Sequence, residues 1–221
     1  MMRLVWVGMM LGAVALSGCT GIETLNRATT PTDLYTLTPK STFASGLPRI
    51  RQQIVVEEPT ASSAVNTDQI AVQPTPYQIE YLPRARWVDR APVIVQNLLV
   101  ESYENSGKVR SVGRSSVGLR PDYVIVTDLR EFQARLPVVE VEGTEALKID
   151  VRLNLKIVDS FNNQIIDSKS FEAVVQTASD EIEDVILAFD TALGRTMRNS
   201  VEWSVRSIYS HAQKNPRPAL Q

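Results

Sequence analysis

The only thiol of the chain, Cys19, closes the stretch Leu16-Ser17-Gly18-Cys19 at the end of an apolar N-terminal run. A thiolate can attack an electrophile or accept an acyl chain, and a lone cysteine cannot form an internal disulfide. Other reactive side chains are few. His211 is the only histidine and stands at the start of a polar C-terminal tail, 211–221. Thiol catalysis, cysteine-based zinc sites and a Ser-His-Asp arrangement in the folded body are therefore unsupported. There is no glycine-rich phosphate loop and no H-E-x-x-H pattern. Two carboxylates can meet through folding from any sequence distance, so a carboxylate-only hydrolase is the enzymatic class that composition leaves open. No catalytic residue, metal or cofactor is expected.

The residues before Cys19 have the parts of a secretory signal. Arg3 gives a positive start, and Leu4 to Leu16 is an apolar run of about a dozen residues, short for a membrane span. With Gly18 before the cysteine, the segment resembles the lipobox of bacterial lipoproteins, where the cysteine is diacylated, becomes the first residue after cleavage and is acylated again on its amine. Several chains suffice for stable anchoring. The alternative is an ordinary signal peptide with a chance cysteine. Thr20 follows Cys19, where an Asp would favour inner-membrane retention, so the outer membrane, facing the periplasm, is the expected location.

Loss of residues 1–18 removes only Arg3 among the charged residues, leaving 22 Lys and Arg against 25 Asp and Glu. A formal charge near −3 carries no nucleic-acid footprint and no polybasic membrane patch. About 200 residues suit one domain. The expected organisation is a signal over 1–18, a lipidated N-terminus and Thr-rich tether over 19–32, one domain over 33–210, and the polar tail. Thirteen tether residues span roughly 40 Å when extended.

The elements that must carry any site follow from hydrophobic period. Tyr35 and Leu37 before Pro39 suggest a short entry strand. Arg49 to Glu57 alternates, with Ile50, Ile54 and Val56 inward and Arg51 and Val55 outward, which predicts a half-buried strand. Gln69 to Val72 and the segment with Tyr77, Ile79 and Tyr81 on one face form a hairpin candidate around Pro74 and Pro76. A helix is predicted from about Ala91 to Asn105, with Asp89 as cap, Pro92 in the first turn and Gly107 as stop. Val109 to Gly113 reads as a strand, and Arg110, Arg114 and Arg120 as either a recognition surface or plain solvated side chains.

Tyr123 to Leu129 is a central-strand candidate that continues through Phe132 to Leu136 with a bulge or bend before Pro137, and Val138 to Glu145 is a turn region. From Leu147 to Ile157 apolar and polar residues alternate without a break, predicting a buried face opposite a wet one. Gln164 to Gln176 returns as the second arm of an antiparallel hairpin. A long helix is predicted from Glu181 to Tyr209, with Asp180 and Glu183 as a capping box and a stripe through Val185, Phe189, Leu193, Met197 and Val201. The fold class is α+β: a mixed, largely antiparallel sheet covered mainly on one side by two or more helices, the C-terminal one long.

These motifs, in their order and spacing, resemble the auxiliary lipoprotein component of ABC-type transport systems, the PqiC-like family. They are Tyr35-x-Leu37-x-Pro39, Ile54-Val55-Val56 ending at Pro59, Gln69-Ile70-Ala71-Val72, Ile79-x-Tyr81, Arg86-Trp87 and Asp89-x-x-Pro92, then the hairpin from Leu147 and the closing helix. The likeness spans about residues 33 to 209. It implies a non-catalytic outer-membrane lipoprotein that docks an MCE-domain periplasmic protein and, through it, an ABC permease and ATPase of an intermembrane lipid transport system. A homo-oligomer stays open, as do a periplasmic lipid-binding carrier and an assembly factor for another outer-membrane complex. Trp87 can be a buried staple or a partner-interface anchor, with Tyr81, Arg84, Arg86 and Asp89 as its rim.

Overall fold

A computed structural model describes residues 31–115, 120–136 and 146–216. The signal segment, Cys19, most of the tether, the turn region within 137–145 and the end of the tail lie outside them. The rest follows from one strand. Tyr123–Arg135 (β7) is rich in β-branched and aromatic residues, and both of its edges are used. Along one edge it pairs antiparallel with Lys148–Asp159 (β8) over its whole length, and β8 pairs antiparallel with Gln164–Gln176 (β9).

The other edge of β7 is shared by three strands in turn, all parallel to it. Ile50–Val56 (β2) takes Tyr123 to Ile125, Thr60–Ala61 (β3) takes Asp128 and Leu129, and Gln69–Thr75 (β4) takes Gln133 to Arg135. Beyond them the sheet forks. Val109–Arg114 (β6) pairs parallel with β2. Gln78–Trp87 (β5) pairs antiparallel with β4, and Asp33–Tyr35 (β1) pairs parallel with β5. Nine strands thus form one mixed sheet among the described residues. A bulge in β7 lies between Leu129 and Glu131, ahead of the Phe132–Leu136 stretch where one was expected, and turns Phe132 back toward the core.

Two helices supply the second layer. Ala91–Ser106 (α1) packs on β6 and β2, and Ile182–Lys214 (α2) packs on β8 and β9. The β8 alternation sends Ile149, Val151, Leu153, Leu155 and Ile157 to full burial beneath α2, whose stripe from Val185 to Ile208 is equally buried. Where α1 meets α2, the Tyr103 hydroxyl and Ser204 Oγ lie 2.6 Å apart. Burial there raises the Tyr103 hydroxyl pKa, and the Ser204 hydrogen bond offsets a small part.

Several expectations change. Asp89 does not cap α1: Arg90 occupies that position, and Asp89 Oδ1 accepts the Arg90 backbone N–H at 2.7 Å. Gly107 does end α1, in the left-handed conformation that a C-terminal stop requires. The Asp180 and Glu183 capping box does not form. Glu181 precedes α2, and Ser179 bridges instead, accepting the Glu181 N–H at 3.2 Å and donating to Asp184 at 2.6 Å. Val55 is buried, because β6 and β7 flank β2 on both edges at that register. Pro74 sits inside β4, which leaves Pro76 and Tyr77 to make the turn.

The helix α2 also runs past Tyr209 to Lys214. His211 is therefore part of the folded body and not of a tail. Its Nδ1 lies 2.9 Å from the Tyr123 hydroxyl, with the two rings edge to face at 5.8 Å.

Candidate functional site

The residues expected to surround Trp87 divide sharply by burial. Trp87 ends β5 with 1% of its surface exposed. It meets Phe132 of β7 at 5.6 Å and Phe189 of α2 edge to face at 5.2 Å, and those two rings lie 5.1 Å apart. A side chain so enclosed locks sheet to helix and cannot reach a partner. Its reading as an interface anchor is corrected to a core staple.

The rim residues do reach the surface. Tyr81 is 36% exposed and donates from its hydroxyl to the Ala64 carbonyl at 3.3 Å. Arg84 is exposed and left-handed, with φ of 60°, between Pro83 and Ala85. That conformation costs a side-chain-bearing residue about 1–2 kcal/mol. It falls where the β4–β5 register shifts between the Ala71–Tyr81 and Gln69–Arg86 pairs, so the bulge throws Arg84 out of the ladder. Arg86 pairs with Asp68 at 3.1 Å while half exposed, and Arg90 reaches Glu58 at 2.8 Å and Asn66 at 2.6 Å. Exposed pairs of this kind contribute about 0–1 kcal/mol and can exchange partners at small cost. Arg84 has no ion-pair partner among the described residues.

Two apolar neighbours were missed in the sequence. Leu34 is 64% exposed beside Arg86 in the β1–β5 register, and Val88 is 52% exposed just after Trp87. The signal was present in the alternation: Tyr35 and Trp87 point inward, so the residues beside them point out. Arg84, Arg86, Tyr81, Leu34 and Val88 thus give β5 and its edge a mixed basic and apolar exposed surface, suited to binding and lacking any nucleophile or general base.

The far face of the central strands carries a denser charge cluster. Glu131 accepts from Arg152 and, at 2.9 Å, from Arg135, while Arg135 also reaches Asp150 at 3.1 Å and Gln133 donates to Glu131 at 2.5 Å. The wet face expected for β8 is corrected at two positions, Asp150 and Asn154, which are buried, while Lys148 and Lys156 are exposed. Arg135 of β7 reaches across to Asp150, and Asn154 donates to Ser170 Oγ of β9 at 2.9 Å. Asp150 Oδ1, Arg135 Nε and Arg152 Nε are buried without a hydrogen-bond partner. Burial raises the Asp150 carboxyl above its ordinary 3.8, and Arg135 draws it partly back.

The folded chain thus holds this proton more tightly than the unfolded chain does. Ionised Asp150 costs stability, and that cost disappears as pH falls through the folded value toward 3.8. In unfolding curves the native chain should therefore gain stability relative to Asp150→Asn on acidification, and the difference between the two should become constant below about 3.8. A constant difference throughout would refute this.

No group of three or more His, Cys, Asp or Glu able to hold a metal occurs among the described residues. A hollow of about 480 Å³ between α2 and β9 is lined by Glu172, Arg195, Arg198, Asn199 and Glu202, with Ala44 and Ala173. Its charged lining does not suit an acyl chain. No helix among the described residues is long and apolar enough to cross a membrane.

Comparison with known proteins gives the chain a family. The model of the ABC-type transport auxiliary lipoprotein component family matches residues 35–199, the span from the entry strand into α2. The chain belongs to this family. As a member it is an auxiliary lipoprotein, lipid-anchored at the outer membrane and facing the periplasm. An uncharacterised protein of Bradyrhizobium diazoefficiens, bll6063, is 24% identical over 177 residues, which are 79% of this chain and 45% of that protein. The auxiliary lipoprotein thus spans less than half the length of that relative. The crystal structure of XCC0632 from Xanthomonas campestris is similar with a TM-score of 0.75 and 25% identity, covering 82% of this chain and 99% of that one.

Proposed function

We propose that the chain is the outer-membrane docking component of an MCE/ABC-type lipid transport system, held by acyl chains on Cys19 and receiving an MCE-domain periplasmic protein on the exposed surface of β5. The observation that carries this reading is the family match over 35–199. The surface around Tyr81, Arg84, Arg86 and Asp89 supports it, because it offers exposed cations and apolar side chains backed by a rigid aromatic core. Trp87 contributes from beneath by fixing β5 against α2. The packed core and the charged hollow give a lipid-carrier role no support.

The test is co-purification of the full chain with an MCE-domain protein from detergent-solubilised membranes. Charge reversal by Arg84→Glu with Arg86→Glu should cut recovery of that partner at least tenfold, the loss of about 1.4 kcal/mol. The unfolding temperature should stay nearly unchanged, because the single ion pair lost is exposed. Undiminished recovery would move the docking surface elsewhere.

A further inference from the structure

The turn of the β4–β5 hairpin presents exposed apolar side chains. Tyr77 at its tip is 99% exposed, and Ile79 and Tyr81, at two-residue steps on the same face, are 37% and 36% exposed. From Gln69 to Ile79 the sequence contains no charged residue. Pro74 and Pro76 lack an N–H, so the turn is a poor template for an added strand.

Chain direction adds an independent observation. Strand β1 runs parallel to β5, with Asp33 opposite Ala85 and Tyr35 opposite Trp87. The chain therefore enters the fold from the side on which β5 begins, the side of Tyr77. Eight residues separate Tyr77 from Ala85 along the sequence, roughly 26 Å of strand at about 3.3 Å each. The fourteen residues from Cys19 to Thr32 reach up to roughly 46 Å. They are long enough to run the length of the hairpin and still enter a bilayer beyond its tip.

We propose that the hairpin tip, Pro76-Tyr77-Gln78-Ile79, contacts the interfacial layer of the bilayer that holds the N-terminus and sets which end of the domain faces the lipid. The inference builds on the reading of Cys19 as the anchor. A tyrosine ring with a terminal hydroxyl suits the headgroup boundary, where an apolar body and a polar tip are both satisfied. The absence of charge over the tip removes the main cost of entering that layer. At the opposite end of the sheet Phe161 is also exposed, at 81%, so position 161 serves as the comparison.

The test uses the full lipidated chain reconstituted into vesicles of phosphatidylethanolamine and phosphatidylglycerol, with and without brominated acyl chains. Tyr77→Trp and Phe161→Trp are compared with the unsubstituted chain, so that emission from Trp87 and Trp203 is subtracted. Both positions are exposed, so neither reporter disturbs packing. The expected result is blue-shifted emission at position 77, quenched by the brominated lipid, with position 161 unquenched and open to acrylamide. Three results overturn the proposal: acrylamide access at both positions, bromolipid quenching at 161 in place of 77, or protection at 77 without bromolipid quenching, which would mean a protein partner or second copy covers the tip. Flotation of the vesicles separates the two readings. A chain that does not float removes the anchor and the tip contact together, whereas one that floats with position 77 unquenched overturns the tip contact alone.

Discussion

Replacing Trp87 by Ala should destabilise the domain by about 3–5 kcal/mol, the usual loss for truncating a large buried aromatic. Three features place it near the top of that range. Its exposure is 1%, and its ring neighbours, Phe132 and Phe189, come from two different elements and also touch each other. The remaining rings cannot close the gap without shifting α2 against the sheet. For a domain of this size each kcal/mol moves the unfolding temperature by about 2–4 °C, so a fall of roughly 6–20 °C is expected. Trp87→Phe should recover part of it, because a smaller ring keeps the aromatic contacts while leaving a smaller void. Thermal unfolding followed by circular dichroism reads both. A variant that melts with the native chain yet loses its partner would return Trp87 to the interface.

The second large effect is on location. Cys19→Ser, placed behind an ordinary cleavable signal so that no apolar leader remains, should move the protein from the membrane fraction to the soluble periplasmic fraction. Each buried methylene of an acyl chain contributes about 0.8 kcal/mol, and several chains make release negligible. Removing them leaves two exposed apolar side chains at the hairpin tip, at most about 2–3 kcal/mol each on full burial. That is enough to orient an anchored domain and too little to hold a free one. The unfolding temperature should not change. Retention in the membrane fraction after a high-salt wash would show that the folded surface carries the attachment.

Much of this fold was legible because two periods dominate it. The unbroken alternation from Leu147 to Ile157 and the stripe along α2 each name their buried face directly, whereas the bulge in β7 comes earlier than the stretch where it was expected. What was not legible depended on neighbours far along the chain. Asp150 and Asn154 read as wet from their own strand, yet Asp150 is held by Arg135 of β7 and Asn154 by Ser170 of β9. Val55 read as outward because its own alternation says so, yet strands on both flanks enclose it. Helix starts were the weakest point: Asp89 and Asp180 have capping chemistry, but Arg90 and Glu181 occupy the cap positions. At the candidate surface, burial separated Trp87 from its rim, and single-residue chemistry could not have done that.

The three-way sharing of one β7 edge also bears on how the chain comes together. Strands β2, β3 and β4 all precede β7 and are parallel to it, so none can complete its pairing until β7 has been delivered. The β7–β8 and β8–β9 pairings, by contrast, are between sequence neighbours. Pairings of high sequence separation form slowly, because the loop must close before any contact rewards it. The C-terminal meander should therefore form first and act as the template, while the earlier half of the chain waits with bare strand edges. Such a chain is most vulnerable to misassembly in the interval before its middle emerges, and its dependence on holding chaperones should end when β7 is in place.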